Sequence, residues 1–194
     1  MQKAIAGQAV TESSSNSQSE VWKKLWALPI LNVEENFLWM ARQDILPTRE
    51  NLLKRKIIND PVCLLCGFMV GTGFHILWQC PTAMDVWGMS CGVKFLKCHF
   101  TGPGFLQVVE GMFRRCDQEE MAMFAGLARR VWMRRNEVLH GGKFSLPQLL
   151  IRLAARAREE YKDAQATREE DTQGQATDGL TKWVAPDTGW VKAS

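Results

Sequence analysis

The sequence predicts a mainly α-helical protein whose helices surround one short ribbon rich in cysteine and glycine. Two observations favour this class. Apolar residues recur at helical spacing along most of the chain, while runs of strand-forming residues are few. Three of the six cysteines lie within residues 62–80, a loop-like segment that is also rich in glycine. We therefore expect helices on both sides of an irregular ribbon.

Size and composition exclude several classes of protein. The chain has 194 residues, a mass of 22.0 kDa, 46% hydrophobic residues and 23% charged residues. These values are ordinary for one globular domain with flexible ends, so a wholly disordered or collagen-like chain is excluded. No apolar run approaches the ~20 residues that a membrane-spanning helix needs, so no membrane association is expected. The formal net charge of +3 does not by itself indicate a nucleic-acid-binding protein.

The N-terminal segment bears on the cellular compartment. It is polar and Ser-rich, with no apolar core long enough for a secretory signal. We expect an intracellular protein, with cytoplasm and nucleus both left open. Thiols stay reduced in that setting, so clustered cysteines indicate a metal or catalysis more than disulfides.

The first half of the chain is predicted to hold a tail and three short helices. Residues 1–18 are typical of a disordered segment. Ser19 caps the first helix, Asn32 with Glu35 three residues later begins the second, and Thr48 begins the third. A proline follows each helix and predicts where it ends.

The second half is predicted to hold one short helix and a helix pair. Pro81 suits the first position of the short helix. Asp117 and Glu120 form a capping box at the start of the longest helix, which Gly141-Gly142 ends. Ser145 caps a final helix, and the last two helices are expected to pack as an antiparallel pair. After residue 162 the apolar stripe fades, which predicts a disordered linker over 163–181.

The strongest chemical signal is the pattern Cys63-x2-Cys66-x8-His75-x4-Cys80. A two-residue spacer lets both thiolates of a turn reach one ion, and the His and the last Cys lie close enough in sequence to complete the set. Three sulfurs and one nitrogen suit tetrahedral zinc. Because four protein ligands leave no open position, a single Zn2+ here would be structural.

Other interpretations of the cysteines stay open. The cluster can be a set of buried thiols without metal, or, less readily, a redox pair. A second site could be assembled from the residues Cys91, Cys98, His99 and Cys116, but their spacing matches no compact pattern, and buried or surface thiols are preferred. A catalytic dyad at Cys98-His99 is disfavoured because neighbours in a chain rarely face each other.

Several segments together carry a resemblance to a known family. They are the Trp-rich opening VWKKLW at Val21, the pair Phe37-x-Trp39, the LPT turn of residues 46–48, the Cys/Cys/His/Cys set and the following Val86-Trp87. The combination resembles the zinc-binding domain found behind the reverse transcriptase in plant-type non-LTR retroelements. The resemblance implies that the four Cys and His positions are zinc ligands.

Two further segments extend the resemblance more loosely. The stretch RRVWMRRNEVLHGGK is similar to the connector helix that follows the zinc module in such polyproteins. The tail W-x2-P-x2-GWVK of residues 183–192 resembles the lead-in to a type 1 ribonuclease H domain. The expected organisation is a disordered tail (1–18), a reverse-transcriptase-type zinc-binding domain (19–90), a helical connector (91–162), a linker (163–181) and a truncated ribonuclease H lead-in (182–194).

This organisation lacks the segments that would carry catalysis. No catalytic Asp follows the lead-in before Ser194, and no reverse transcriptase precedes Val21. Two-metal phosphodiester hydrolysis needs several convergent carboxylates, whereas the acids here suit helix starts and solvated faces. We expect a non-catalytic fragment or descendant of a retroelement polyprotein, not an enzyme.

Positive charge concentrates in two places. Between Met112 and Arg158, ten basic residues face four acidic ones, a net of +6, and a second basic cluster precedes the ribbon. Such clusters favour phosphate contacts with little sequence preference, although a solvated helix face has the same pattern. The candidate nucleic-acid-binding residues are Lys54, Arg55, Lys56, Arg129, Arg130, Arg134 and Arg135. Two functions stay open, an RNA- or DNA-binding zinc module and a zinc-stabilised structural or protein-interaction domain without nucleic-acid binding; protein partners are not indicated.

Aromatic and arginine positions complete the predictions. Trp78 and Phe68 in the ribbon are expected to pack against the metal loop more than to stack on bases. Arg135 falls on the apolar stripe of the longest helix, where a salt bridge to Asp85 or Glu110 is favoured over a phosphate contact. The tryptophans expected in the core are Trp22, Trp26, Trp39, Trp87 and Trp132.

The ribbon is expected to depend on its metal. Residues 62–80 contain three glycines, whose ordering is entropically costly, so zinc should supply the order. Leu53, Ile57, Val86 and Trp87 are expected to close over the ribbon. The helix pair from Asp117 to residue 161 is expected to be independent of the site.

Overall fold

Residues 21, 23–90 and 104–177 are described by a computed structural model of the chain. Along these residues the regular structure is helical, and the β pairing is a single antiparallel bridge between Val62 and Val70. The predicted class, helices around a small Cys-rich ribbon, is confirmed. The described residues contain no helix that is both long and apolar enough to cross a membrane.

Six α-helices can be named in the described residues. They are α1 (Asn32–Arg42), α2 (Arg49–Lys54), α3 (Pro81–Ser90), α4 (Phe105–Arg115), α5 (Gln118–Leu139) and α6 (Pro147–Thr177). A π-helical turn spans His75–Gln79, and residues 23–26 are also helical.

Three of the six predicted helix starts, those at Thr48, Pro81 and Asp117, are confirmed, and the start predicted at Ser19 lies outside the described residues. The Thr48 hydroxyl accepts a hydrogen bond from the amide of Asn51 at 3.2 Å and caps α2. Asp117 caps α5 by accepting from the amide of Glu120 at 2.8 Å, and the Glu120 carboxylate accepts from the amide of Asp117 at 3.1 Å. The final helix begins at Pro147 and not directly after Ser145, because proline suits the first helical position.

The start of α1 differs in detail from the prediction. The helix does include Asn32, but the capping residue is Leu31, and its amide donates to the carboxylate of Glu34 at 3.4 Å. Glu35 therefore does not play the predicted capping role. The capping pair is therefore Leu31 with Glu34, one residue earlier than the predicted pair and with the same spacing of three.

Helix α4 is not among the predicted elements. Its residues Phe105, Val108, Val109 and Met112 recur at helical spacing and are all buried. The amide of Gly104, just before the helix, donates to the Gln107 side chain at 3.1 Å.

Helix α6 is longer than predicted. It continues to Thr177, so the predicted linker of residues 163–181 begins as helix. Alanine, glutamine, glutamate and arginine supply nine of the fifteen residues from 163 to 177, and all four are good helix formers that need no apolar stripe. Residues 178–181 lie outside the described part.

The chain divides into two compact units, Met1–Glu159 and Glu160–Ser194. The described part of the second unit is the C-terminal portion of α6. In the first unit α5 packs against α1 and the π-turn, and α4 packs against α1. The predicted zinc-binding region and connector region therefore contribute to one shared core.

The predicted antiparallel pair is confirmed within the first unit. Near the start of α5, Glu119 pairs with Arg158 of α6 at 2.8 Å. Further along α5, the Arg130 guanidinium donates to the carbonyl of Leu153, an earlier residue of α6, at 3.4 Å. The two helices thus run in opposite directions.

Aromatic rings form the centre of the first unit. Phe124 of α5 stacks on Trp87 of α3 with ring centroids 5.3 Å apart, and it also stacks on Phe105 of α4 at 6.1 Å. Trp78 of the π-turn lies 5.3 Å from Trp87, measured between ring centroids. Four elements therefore meet in one stack beside the ribbon.

Several predicted core residues lie elsewhere. Trp87 and Trp132 are buried as predicted. Trp26 is 52% exposed and Trp39 is 38% exposed, so their assignment to the core was wrong, because the apolar stripes of these short helices are narrower than their sequences suggest. Ile57 is 64% exposed and does not close over the ribbon, since it lies beyond the end of α2. Trp22 lies outside the described residues.

Candidate metal centre

The four predicted ligands converge. The sulfurs of Cys63, Cys66 and Cys80 and a ring nitrogen of His75 all lie within 4.8 Å of one another. The Nε2 atom of His75 is 3.3 Å from the Cys66 sulfur. Ligands at 2.0–2.3 Å from a tetrahedral zinc ion stand roughly 3.5–3.8 Å apart, so the spacing fits one ion at the centre.

A tight turn supplies the first two ligands. The Cys63 carbonyl accepts from the amide of Gly67 at 2.8 Å, and Gly67 adopts φ +72°, a left-handed conformation that glycine reaches without strain. The amide of Cys63 donates to the Met69 carbonyl at 2.7 Å. These bonds fold residues 62–70 back on themselves, so both sulfurs of the C-x2-C pair face the same point.

The π-helical turn places the other two candidate ligands, His75 and Cys80. Residues five apart lie about 140° apart around an α-helix, which would send His75 and Cys80 to different sides. Here the amide of Cys80 donates to the His75 carbonyl at 2.6 Å, a five-residue closure that returns the chain to the same side. The indole of Trp87 donates to the Leu77 carbonyl at 2.8 Å and satisfies a group within the turn.

Cys80 also lies at the start of α3. Its carbonyl accepts from the amides of Ala83 and Met84 at 2.8 and 2.9 Å, and its sulfur is 3.2 Å from the Thr82 hydroxyl. Amides at a helix start favour negative charge, so the helix stabilises a thiolate at this position.

The protonation states of two thiols are coupled. A hydrogen bond from the Cys63 thiol lowers the pKa of Cys80 to about 4, against the opposing effect of burial, and Thr82 lowers it further through its side chain and backbone. The same hydrogen bond, together with burial, raises the pKa of Cys63. Without a metal the pair holds one thiolate and one thiol, and a metal ion would displace the shared proton.

Burial isolates the site from water. Cys63, His75 and Cys80 are buried and Cys66 is half-buried. The Nδ1 atom of His75 is buried and has no hydrogen-bond partner in the described part of the chain. A buried donor set of three sulfurs and one imidazole, facing one point, fits zinc and leaves no open coordination position.

Two of the candidate nucleic-acid-binding arginines lie inside the protein. Arg134 is 1% exposed and Arg135 is 6% exposed. A guanidinium buried to that degree offers no surface to a phosphate. The salt bridge predicted for Arg135 is wrong, because in the described residues it bonds instead to the side chain of Asn136 at 2.8 Å and the carbonyl of Pro47 at 3.5 Å.

The other basic candidates differ in their solvent exposure and in the charges near them. Lys54 forms ion pairs with Glu50 at 3.3 Å and with Asp44 at 3.9 Å. Arg55 and Lys56 are exposed in the loop between α2 and the ribbon. Arg129 and Arg130 are half-buried, and their charges act on the carboxylate of Glu34.

Two aromatic residues of the ribbon, Trp78 and Phe68, lie in different surroundings. Trp78 packs in the core stack, as predicted. Phe68 is 87% exposed at the tip of the ribbon, so its predicted packing against the metal loop is wrong. The turn that brings Cys63 and Cys66 together points the tip that follows them away from the core.

Other thiols are not part of this cluster. Cys116 lies outside it, and no second convergent group of His, Cys, Asp or Glu side chains occurs within residues 21, 23–90 and 104–177. Cys91, Cys98 and His99 lie outside the described residues, as does the predicted lead-in of residues 182–194.

Sequence reasoning missed one neighbour of the site. The Thr82 hydroxyl beside the Cys80 sulfur was not among the predicted site residues. Its position in the first turn of a helix predicted to begin at Pro81 is the signal that could have found it, because that turn directly follows the last ligand.

Comparison with known proteins supports the metal site. Residues 8–87 match the family model described as zinc-binding in reverse transcriptase. No curated protein and no solved structure matches the chain. All four convergent ligands lie inside the matched span, so the chain contains a zinc-binding domain similar to the one that accompanies reverse transcriptases.

Proposed function

We propose that this chain is a non-catalytic, intracellular zinc-binding module from a plant-type non-LTR retroelement polyprotein, with one structural zinc ion per chain. The convergence of Cys63, Cys66, His75 and Cys80 within the matched span supports this most strongly. A four-ligand shell has no position for a water or a substrate. The ion orders the ribbon and activates nothing.

The carboxylates of the first unit support a non-catalytic role. Asp117 and Glu120 cap α5, Glu119 pairs with Arg158, and Asp60 pairs with Arg49 at 3.2 Å. Each of these acids has a structural partner, either in its own helix or in a neighbouring segment. The resemblance of residues 183–192 to a ribonuclease H lead-in supports the polyprotein origin without adding a catalytic group.

Cobalt substitution tests the metal proposal. Titration of the metal-free full chain with Co2+ should give thiolate-to-metal absorption that saturates at one ion per chain, and Zn2+ should displace it. Cys66→Ser should abolish this absorption, whereas the matched control Cys116→Ser should keep it. Absorption that is equally strong in Cys66→Ser would refute the ligand set.

The tip of the ribbon is the surface proposed to bind RNA or DNA. Phe68 presents its ring to solvent, and Arg55 and Lys56 are exposed just before the ribbon. An exposed ring accompanied by cations suits unpaired bases and their phosphates, with little sequence preference. Arg129 and Arg130 contribute less, because they are half-buried and face Glu34.

Salt dependence tests this binding surface. Filter binding of single-stranded RNA and DNA should weaken steeply with salt, and Arg55→Ala with Lys56→Ala should reduce the slope by about 0.7 for each phosphate that is no longer bound. Phe68→Ala should weaken binding without changing the slope. The control pair Arg114→Ala and Lys143→Ala removes two exposed cations elsewhere. A chain that does not bind, or a control pair that weakens binding equally, would refute the proposal.

The alternative is a protein-interaction role for the same tip. Leu64, Met69 and Val70 are exposed beside Phe68, and exposed apolar groups of this kind are typical of protein contacts. No binding of either nucleic acid at low salt would favour this alternative.

A further inference from the structure

Two consecutive buried arginines on α5 need a physical explanation. Arg134 and Arg135 are both buried, and taking a guanidinium out of water is costly unless an opposite charge compensates it. Neither forms an ion pair with a carboxylate in the part of the chain that the structure describes. Their hydrogen-bond partners are neutral carbonyl and amide oxygens.

Arg134 reaches the second ligand arm, the π-turn with the start of α3. Its guanidinium donates to the Thr82 carbonyl, and the Thr82 hydroxyl lies 3.2 Å from the Cys80 sulfur. The group also lies over the Phe144 ring, 4.6 Å from its centroid, and donates to the Ser145 carbonyl at 3.4 Å. Its Nε atom has no hydrogen-bond partner among the described residues.

Arg135 is linked to the first ligand arm, the turn that carries Cys63 and Cys66, through the start of α2. It donates to the Pro47 carbonyl in the turn before α2. The start of α2 packs on the ribbon, where a β-carbon at Gly71 would lie 3.3 Å from Arg49 Cβ and 3.5 Å from the Cα of Cys63. The two arginines therefore connect one helix, α5, to both ligand arms.

The thiols act electrostatically on these two groups. Burial lowers the pKa of Arg134, and the charges of Asp85 and Cys80 oppose that effect. Burial also lowers the pKa of Arg135 to about 10; the nearby Cys63 opposes this effect and the charge of Arg49 adds to it. Each arginine is thus attracted by a different sulfur of the cluster.

The charges balance when the metal is bound. Zn2+ with three thiolates and a neutral imidazole carries −1, and Asp85 adds a second negative charge near Arg134. The positive charges of Arg134 and Arg135 neutralise these two negative charges. Loss of the ion releases the two ligand arms that the arginines hold to α5.

We propose that Arg134 and Arg135 are outer-shell positioning residues of the zinc centre, which hold α5 against both ligand arms by compensating the negative charge of the zinc–thiolate cluster. This inference rests on the proposed zinc binding. It makes metal occupancy a condition for the stability of α5, not of the ribbon alone.

Replacement of each arginine by the similarly sized, neutral methionine tests the proposal in the full chain. Arg134→Met and Arg135→Met should weaken zinc binding, measured by chelator competition, by roughly 10–100-fold, the usual effect of removing an outer-shell partner. Their Tm should fall in the zinc-loaded state. In the metal-free state the decrease of Tm should be smaller, because the two ligand arms are then no longer fixed to one ion. Arg152→Met, at an exposed position of α6, is the control.

The outcomes separate this inference from the zinc proposal. A wild-type chain that binds no zinc overturns both. Unchanged zinc affinity, with the same decrease of Tm in both metal states, overturns only the outer-shell role and leaves a packing role. Should the methionine variants fail to fold, Arg134→Lys and Arg135→Lys keep the charge and should bind zinc within about tenfold of wild type; lysine variants as weak as Cys66→Ser contradict the proposal.

Discussion

One buried amide side chain holds the turn that precedes α2. The Nδ2 atom of Asn51 donates to the carbonyls of Asp44 at 2.6 Å and Leu46 at 3.0 Å. The backbone amide of Asn51 donates to the hydroxyl of Thr48, which is fully buried. The side chain of Asn51 therefore donates to two carbonyls of the turn, and the Arg135 guanidinium donates to a third, that of Pro47.

Asn51→Ala is expected to lower the free energy of unfolding by about 1–3 kcal/mol, because it removes the side-chain donor to the buried turn's Asp44 carbonyl and one of the two donors to the Leu46 carbonyl, which also accepts from the Thr48 amide at 2.7 Å. Urea unfolding of the zinc-loaded chain measures the change. Asn59→Ala, at an exposed position, should change it by less than about 0.5 kcal/mol. Equal stability of the two variants would show that the turn does not depend on this side chain.

Single residues also mark the limit of sequence reasoning. The convergence of Cys63, Cys66, His75 and Cys80 was predictable because thiol and imidazole groups at those spacings are typical of one metal site. The position of Arg135 on the apolar stripe was predictable from the helical period, but its partner was not. A helical period predicts the face on which a residue lies, whereas the groups opposite it depend on how distant segments such as the turn at Pro47 pack.

At the scale of elements, the ribbon depends on one left-handed residue. Gly67 has φ +72°, and a β-carbon there would meet no atom within 4 Å. A side chain at this position is therefore unfavourable because of its backbone conformation and not because of crowding.

Gly67→Ala should destabilise the zinc-loaded protein by about 1–2 kcal/mol, the usual cost of an L residue in this region. Gly67→Asn should cost less, since asparagine enters the left-handed region more readily. Chelator competition and thermal unfolding of both variants measure the difference. A greater destabilisation by asparagine than by alanine would contradict the conformational explanation.

The contact between α1 and α5 contains a carboxylate in an unfavourable environment. Burial raises the pKa of Glu34, although the Leu31 amide and three arginines partly oppose the effect. A β-carbon at Gly126 would lie 3.0 Å from the Glu34 carboxylate, so the small size of glycine gives the carboxylate its space.

Glu34→Gln is expected to stabilise the protein at pH 7 relative to wild type. The folded pKa lies above the unfolded value, so the folded state binds the proton more tightly and the ionised form destabilises it. That penalty fades as the pH falls through the folded pKa towards 4.5, and the two proteins should converge in stability. Denaturant unfolding at matched pH measures the difference, with the exposed Glu159→Gln as control. A difference independent of pH would contradict the assignment.

The elements differed in how well the sequence predicted them. Helices with a capping residue and a clear period, such as α2 and α5, were predicted correctly. The π-turn was not predictable, because it depends on contacts with residues outside the turn. Its ligands face the same point as those of the first turn, and the Trp87 indole donates to the Leu77 carbonyl within it. The length of α6 was underestimated because helix propensity alone sustains it where apolar periodicity ends.

At the scale of the whole molecule, the metal site and the helical core of the first unit are one structure. The sequence predicts that the helix pair is independent of the site, since its apolar stripes are complete in themselves. The structure does not support this, because Phe124 of α5 stacks on Trp87 beside the π-turn and Arg134 reaches the second ligand arm.

Removal of zinc is therefore expected to loosen α5 together with the ribbon. Hydrogen exchange of the full chain, with and without chelator, should show reduced protection in residues 62–80 and also in the part of α5 around Phe124 to Arg135. The described end of α6 from residue 160, in the second unit, should change little. A change confined to the ribbon would instead favour an independent helix pair.

The account depends centrally on one zinc ion held by Cys63, Cys66, His75 and Cys80. Elemental analysis of the purified full chain, beside Cys66→Ser and the control Cys116→Ser, tests this most directly. We predict one zinc per chain in the wild type and in Cys116→Ser, and a large decrease in Cys66→Ser. A wild-type chain purified without zinc that also fails to take up the ion from buffer would contradict the account.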